Sequence, residues 1–433
     1  MEKRCARKVG ASSRAIGNES AIIKWEASKM LTKANHQQAL ELLLRQTTPV
    51  ATEQLPLADC AGRILAQDFY AAYNVPPFDR SAYDGYAFRA ADISNASQEH
   101  PVTLRILGET AAGDPPFGPL QPGTAVKILT GAPIPPGADA VVAYEMTRYT
   151  QEEVTVMAPA LPGANIVTAG EDVAQGQLLA QAGSRIDVGL MGTLASQGMV
   201  CPKVFRLPQV GILSTGEEVV EPPEPLIPGK IWNTNRYAFT AAIRSVGCVP
   251  RYLGLVGDSA QQIAAHMEQG LKSCDVLIST GGVSVGDYDF TLEAMRLVGA
   301  TPLISGLRIK PGMACAFAVR DGKLLCGLSG NPASAMTSFW TVLRPVLYKL
   351  AGCRSYLPAE ITLTLAQPFP KASRQDRFLR GKLDLSDGIA RFHIPQKQGN
   401  TQLSSAIGCD AIALIPAGSG PLQAGTQLKG FLL

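Results

Sequence analysis

The stretch Cys274–Phe290, CDVLISTGGVSVGDYDF, decides how the rest of the chain is read. Its apolar run Val276–Ile278 has the length and branching of a buried strand, and the run breaks at Ser279-Thr280 into a loop. That loop carries Gly281, Gly282, Ser284, Gly286, Asp287 and Asp289. Glycines at this spacing let backbone N–H groups approach a ligand, while hydroxyls and carboxylates supply both halves of a phosphate-plus-cation site. Taken alone, the same residues can also be read as a plain glycine-rich connection after a core strand.

The sequence on either side repeats this grammar. From Gln209 onward, strand Val210–Leu213 ends in Ser214-Thr215-Gly216-Glu217-Glu218, and strand Tyr252–Val256 ends in Gly257-Asp258. Strand Leu324–Leu328 ends in Ser329-Gly330-Asn331-Pro332. Helical patterns over 236–246, 260–272, 291–298 and 333–350 intervene. Alternating strands and helices predict a doubly wound, mostly parallel α/β sheet whose ligand lies outside the carboxyl ends of its strands. Glu218, Asp258 and Asp289 then follow three strand ends of one sheet and could gather around one hard cation; magnesium suits such oxygen ligands together with a substrate phosphate. Each carboxylate by itself is more often a helix cap or a solvated loop residue. Lys310, Ser329 and Asn331 can reach the same edge, and the amides opening a helix at Pro332 favour an anion.

Outside this unit the pattern changes. Residues 1–29 are mixed in charge and aperiodic, which predicts a disordered extension or a start at Met30. A helix capped by Asn35 and a short helix over 58–66 are expected to belong, with 160–207, to a scaffold domain covering 30–70. Short alternating runs between Val102 and Val156, broken by GDPPFGPLQPG and GAPIPPGAD, predict a β domain over 71–159. The turn-rich segment Val75–Asp92 inside it places Asp79, Arg80, Ser81 and Asp84 within a few positions, and Thr130 stands at a strand end. Residues 208–355 form the α/β domain, and 356–433 a small C-terminal barrel-like β domain. Arg374, Arg377 and Arg380 there are expected on a solvated face.

Composition narrows the function classes. A chain of 433 residues with net charge +3 is long enough for several cores and too weakly basic for a nucleic-acid footprint. No apolar run is long enough to span a bilayer and no secretory leader is legible, so the expected location is cytoplasmic. The nine cysteines lie far apart without a C-x-x-C pair, and the four histidines do not cluster with them. They read as reduced fillers rather than a zinc site.

The motifs PPFDRSAYDGYA, KILTGAPIPPGADAVV, GED, STGEE, NTNR, STGGVSVGDYD, IKPG and SGNPAS, in this order from about residue 31 to the end, resemble the molybdopterin molybdenumtransferases. These are the last enzymes of molybdenum cofactor synthesis and are related to the C-terminal part of gephyrin. The resemblance implies an elongated homodimer of four-domain subunits whose active site lies between the α/β domain of one subunit and the β domain of the other. There, adenylylated molybdopterin is cleaved with magnesium, AMP leaves, and molybdate is inserted. Contact with the molybdopterin adenylyltransferase is implied as well. Carried onto this sequence, Glu218, Asp258 and Asp289 become metal or phosphate-side carboxylates and Lys310 holds the anion. Ser329, Gly330, Asn331 and Pro332 form the loop at the pterin pocket, with Thr215, Gly281, Gly282 and Ser284 beside it. Asp84 and Thr130 would come from the second subunit.

The chain departs from that pattern where an oxyanion should sit. Gly306 stands where the family usually has a lysine, Pro311-Gly312-Met313-Ala314 replaces PGKP, Ser329 replaces a proline, and Asn165-Ile166-Val167 replaces an arginine-bearing NIR. Losing a charge-assisted contact typically costs about 1.5–3 kcal/mol. Arg80 and Arg308 are the cations expected to restore the charge. Two other classes stay open: a non-catalytic pterin-binding scaffold or paralogue with altered oxyanion use such as tungstate, and adenylylation of molybdopterin by the related α/β fold.

Overall fold

The computed structural model describes residues 30–283 and 289–433; the expectations for residues 1–29 and for Ser284, Gly286 and Asp287 lie outside them. A seven-stranded sheet runs in the order Leu31–Ala34, Thr301–Leu307, Cys315–Arg320, Lys323–Leu328, Val276–Thr280, Gln209–Thr215, Val249–Val256. Four adjacent strands, from Lys323–Leu328 to Val249–Val256, are parallel. Only Cys315–Arg320 runs against its neighbours on both sides. This is the doubly wound, mostly parallel sheet that the alternating pattern predicts. Central strands covered on both faces read as continuous apolar runs, and Val276, Leu277 and Ile278 are all buried.

Two cores follow from the two faces. On one, Val210, Ile212, Val276 and Ile278 pack with helices Thr234–Ser245, Pro332–Ser338 and Arg344–Leu350, including an edge-on contact of Phe239 and Phe339 at 5.7 Å. On the other, Leu213, Leu277 and Leu325 pack with Ala260–Leu271 and Phe290–Leu297. Helix starts carry side-chain caps: Asn233, Ser259 and Asp289 each accept from the amide three residues on.

The amino-terminal region corrects the expected scaffold. Leu31–Ala34 is a strand that pairs in parallel with Thr301–Leu307. The following helix, His36–Arg45, is closed by a capping box between Asn35 and Gln38 and buries Ala39 and Leu43 in the first of those cores. Both elements therefore belong to the α/β layer. The expected helix over 58–66 is a single 3-10 turn at Leu57–Asp59 followed by extended chain that pairs at Ile64 and Leu65. What remains of the scaffold is a small core of Cys60, Leu65, Phe69, Ile186, Leu194 and Val204.

The β segment forms a six-stranded sheet around Gly85–Phe88 and Thr124–Ile128. The C-terminal strands close on themselves, because Asp376–Asp384 pairs both with Arg391–His393 and with Ala411–Ile415. A two-residue strand, Ile309–Lys310, leaves the α/β sheet and adds to this barrel, Lys310 abreast of Arg377. The IKPG motif is thus the physical joint between the two units. The eight described cysteines carry free thiols, five of them buried, as their scattered spacing suggests. No helix among the described residues is long and apolar enough to cross a membrane.

Candidate functional site

Register brings the predicted loops to one edge. Thr280 stands abreast of Leu328 and of Ser214, and Thr215 abreast of Val256, so four parallel strands end almost flush. Because Leu31–Ala34 and Thr301–Leu307 run in the same direction as Lys323–Leu328, their carboxyl ends reach this edge too. Backbone bonds lash the loops together: Gly216 N donates to Val256 O at 3.1 Å and Gly281 N to Leu328 O at 3.1 Å. The Thr215 hydroxyl donates to Thr280 O, and that of Thr291 to Gly281 O.

Gly281 shows why this loop must be glycine. Its φ is +100°, and a Cβ there would lie 2.5 Å from Thr215 O. Gly281→Ala is expected to cost about 2–4 kcal/mol in denaturant unfolding. An unchanged midpoint would show that the loop has room to shift.

The carboxylates do not behave alike. Glu218 and Asp258 are exposed after their strand ends. Glu218 folds back over Gly216, where a Cβ would meet its Oε2 at 2.6 Å. Its neighbour Glu217 is the one that spans the gap, since a Cβ on Gly257, next to Asp258, would lie 2.1 Å from Glu217 Oε1. Asp289 caps the helix Phe290–Leu297, its Oδ1 accepting from Leu292 N at 2.9 Å, and burial pushes its carboxyl up from the usual range. Among the described residues, no three His, Cys, Asp or Glu side chains converge in a metal-binding group.

The loop after Leu328 is held from beneath. Asn235, from the NTNR motif, donates to Gly330 O at 2.9 Å, while its own Oδ1 is buried without a partner. Ser279 Oγ is likewise buried and unpartnered. Asn331 opens the helix Pro332–Ser338 with Pro332 at its first turn, and no side chain caps that turn. Asn233 is fixed by Ser214 and by Glu221, whose carboxylate also accepts from Tyr252 at 2.5 Å and from Arg236 at 2.8 Å. Although burial opposes its charge, these donors hold the Glu221 carboxyl below the usual range. Glu221 therefore anchors the start of the NTNR helix.

Asp84 and Thr130 meet, as a sequence pair could. Thr130 donates to Asp84 Oδ1 from both its amide and its hydroxyl, each at 2.7 Å, and these bonds lower the Asp84 carboxyl. Arg80 lies in the same β unit, abreast of Val167. Arg308 and Lys310 alternate with the buried Leu307 and Ile309, so both extend into solvent at the edge.

The solvated face expected for Arg380 is overturned. Arg380 is 3% exposed, and only one of its guanidinium nitrogens is bonded, to Ser405 Oγ at 2.9 Å; Nε and Nη1 are buried without partners. Burial lowers its pKa. It faces the α/β unit from the barrel, on the side of Phe378, and the loop covering it is tied to the Pro332–Ser338 helix by Ser334 N donating to Asn400 O at 3.2 Å. A buried cation with two idle donors is the chemistry of an anion receptor. Arg380, Glu217 and Asn235 are the residues that spacing alone did not single out; the Arg-x-x-Arg spacing of a strand held no sign of which face is covered.

Comparison with known proteins extends to nearly the whole chain. Family models match at residues 34–198 (MoeA N-terminal region, domains I and II), 211–349 (probable molybdopterin binding domain) and 362–432 (MoeA C-terminal region, domain IV). The molybdopterin molybdenumtransferase of Bacillus subtilis is 35% identical over 388 residues, covering 88% of this chain and 90% of the relative. That of Nostoc is 32% identical over 385 residues. The crystal structure of the molybdopterin biosynthesis MoeA protein from Pyrococcus horikoshii superposes with a TM-score of 0.81 at 31% identity, covering 92% of this chain and 99% of that one. A molybdenum cofactor biosynthesis protein from Pyrococcus furiosus shares the fold at 18% identity and a TM-score of 0.58. On a strand-end edge of this composition and a match of this breadth, the chain belongs to the molybdopterin molybdenumtransferase family.

Proposed function

We propose that this chain is a transferase that inserts molybdate into adenylylated molybdopterin in the cytoplasm, releasing AMP and yielding molybdenum cofactor. The observation that carries the reading is the flush edge of strand ends, where Thr215, Gly281, Gly282, Ser329, Gly330 and Asn331 lie within one network of loops. Such an edge binds a nucleotide-like ligand through backbone donors, with the first turn at Pro332 favouring its anionic part. Arg308 and Lys310 supply exposed cations beside it, and Arg380 a buried one.

The residues present fit magnesium as a phosphate-sharing ion rather than one in an all-protein cage. Exposed Glu218 and Asp258, with Glu217 between them, offer hard oxygen donors, and such an ion keeps waters and substrate oxygens as its other ligands. When bound, it would neutralise charge developing on the phosphate that leaves. The protein's own part is to hold the pyrophosphate against the strand ends, to keep the oxyanion next to Lys310 and Arg380, and to exclude competing water. In a homodimer, Asp84 of the partner subunit and Thr130 of the partner subunit would cover the edge from the other side. The substrate is the product of a molybdopterin adenylyltransferase, and direct handover from that enzyme would spare a labile intermediate.

AMP release from adenylylated molybdopterin, measured with magnesium and with or without molybdate, tests the reading. Release is expected to depend on molybdate. Asp258→Asn is expected to lower it about 100-fold, with partial recovery at raised magnesium. Tight pterin binding without release at any oxyanion concentration would overturn the enzyme and leave a pterin-binding scaffold.

A further inference from the structure

The strand Leu31–Ala34 brings one cation to the site edge that no motif marked. Thr32 pairs with Ser305 and Ala34 with Leu307, so Lys33 lies abreast of Gly306. A Cβ on Gly306 would stand 3.8 Å from Lys33 Cγ and 4.0 Å from Lys33 Cα. The two backbones depart from extended geometry together, with φ of +52° at Lys33 and +80° at Gly306. Ala34 is buried, and Arg308 N donates to Ala34 O at 2.8 Å, while Lys33 itself is exposed. Lys33, Arg308 and Lys310 thus stand along one edge, clear of the buried row Ala34, Leu307 and Ile309. Among the described residues none of the three forms an ion pair with a carboxylate.

This row lies at the reacting end of the sheet. Ser305 pairs with Ala316 and Cys315 with Leu328, whose carbonyl accepts from Gly281 N at 3.1 Å, so the Gly306 position lies two strands from the strand end that holds the glycine-rich loop. Unpaired cations clustered without carboxylates repel one another, and an anion shared between them relieves that repulsion.

We infer that Lys33 is an oxyanion-binding residue of this active site, delivering from the amino-terminal strand the positive charge that the side-chain-free Gly306 cannot supply. The inference rests on the transferase reading, and it makes the oxyanion rather than the pterin the ligand that Lys33 serves. With its ammonium on a flexible stem, it binds a tetrahedral dianion as a point charge.

The test compares wild type, Lys33→Gln and Lys33→Arg in the full chain. Half-saturating molybdate is read from AMP release, and binding of tungstate alone is read by calorimetry. Lys33→Gln is expected to raise both constants roughly tenfold, as for one exposed charge-assisted contact, leaving the rate at saturating molybdate and the half-saturating pterin substrate unchanged. Lys33→Arg is expected to restore them. Lys33 is solvent-facing, so unchanged thermal unfolding of the Gln variant checks that the strand still pairs. A molybdate-dependent wild type whose Gln variant shows the same two constants would overturn the role of Lys33 while sparing the transferase. A wild type without molybdate dependence would overturn the transferase reading, and the role of Lys33 with it.

Discussion

Arg380→Met is expected to leave the protein as stable as wild type, or more stable by about 1–2 kcal/mol, while raising half-saturating molybdate about 100-fold. The two effects have one cause. A guanidinium 3% exposed, with Nε and Nη1 unpartnered, has lost its hydration and received one hydroxyl, from Ser405, in return. Replacing a buried charge by an apolar side chain of similar length is commonly neutral or stabilising. If the same guanidinium receives an oxyanion, two charge-assisted contacts vanish with it; at about 1.5–3 kcal/mol each, discounted for residual binding by Lys310, the loss is close to two decades. Thermal unfolding and molybdate titration of AMP release read the two quantities independently. A destabilised variant with unaltered molybdate dependence would make Arg380 a structural residue of the barrel and remove it from the site.

That residue also marks where sequence reading stops. The α/β half was legible because its physics is local. An apolar run followed by a polar, glycine-bearing loop recurs at 210, 252, 276 and 324, and parallel topology puts all such endings on one edge whatever lies between. The first helix start was legible for the same reason, through Asn35, whose capping bond spans only three residues, whereas the cap that Asn233 supplies was not read in the sequence. The amino-terminal strand was not. Leu31–Ala34 is four residues long, and its partner Thr301–Leu307 is some 270 residues away, so nothing near it in sequence announces the pairing that carries Lys33 to Gly306. Arg380 was misjudged because its burial is set by a loop, 398–409, that returns over it only in three dimensions. Glu217 and Glu218 are adjacent glutamates with identical chemistry, and only the twist of the chain after Gly216 decides which one crosses to Gly257.

Asp289 is a helix cap and also the carboxylate proposed to act at the glycine-rich loop, and the choice of substitution separates the two roles. Its Oδ1 caps the helix Phe290–Leu297 through Leu292 N, and its charge is held in a place where burial raises the carboxyl. Asp289→Ala removes both cap and charge, so a loss of activity in that variant could be a loosened helix, at about 1 kcal/mol for the cap. Asn caps as well as Asp, and the amide keeps the acceptor that Leu292 N requires. Asp289→Asn is therefore expected to unfold at or slightly above the wild-type temperature, since a carboxylate that burial disfavours has become neutral. AMP release is expected to fall 100- to 1000-fold, the usual scale for removing a charge positioned at a reacting phosphate. Asp289→Ala should show the same loss of activity with the additional loss of stability. Full activity in the Asn variant would confine Asp289 to capping and move the burden of metal and phosphate handling to Glu217, Glu218 and Asp258.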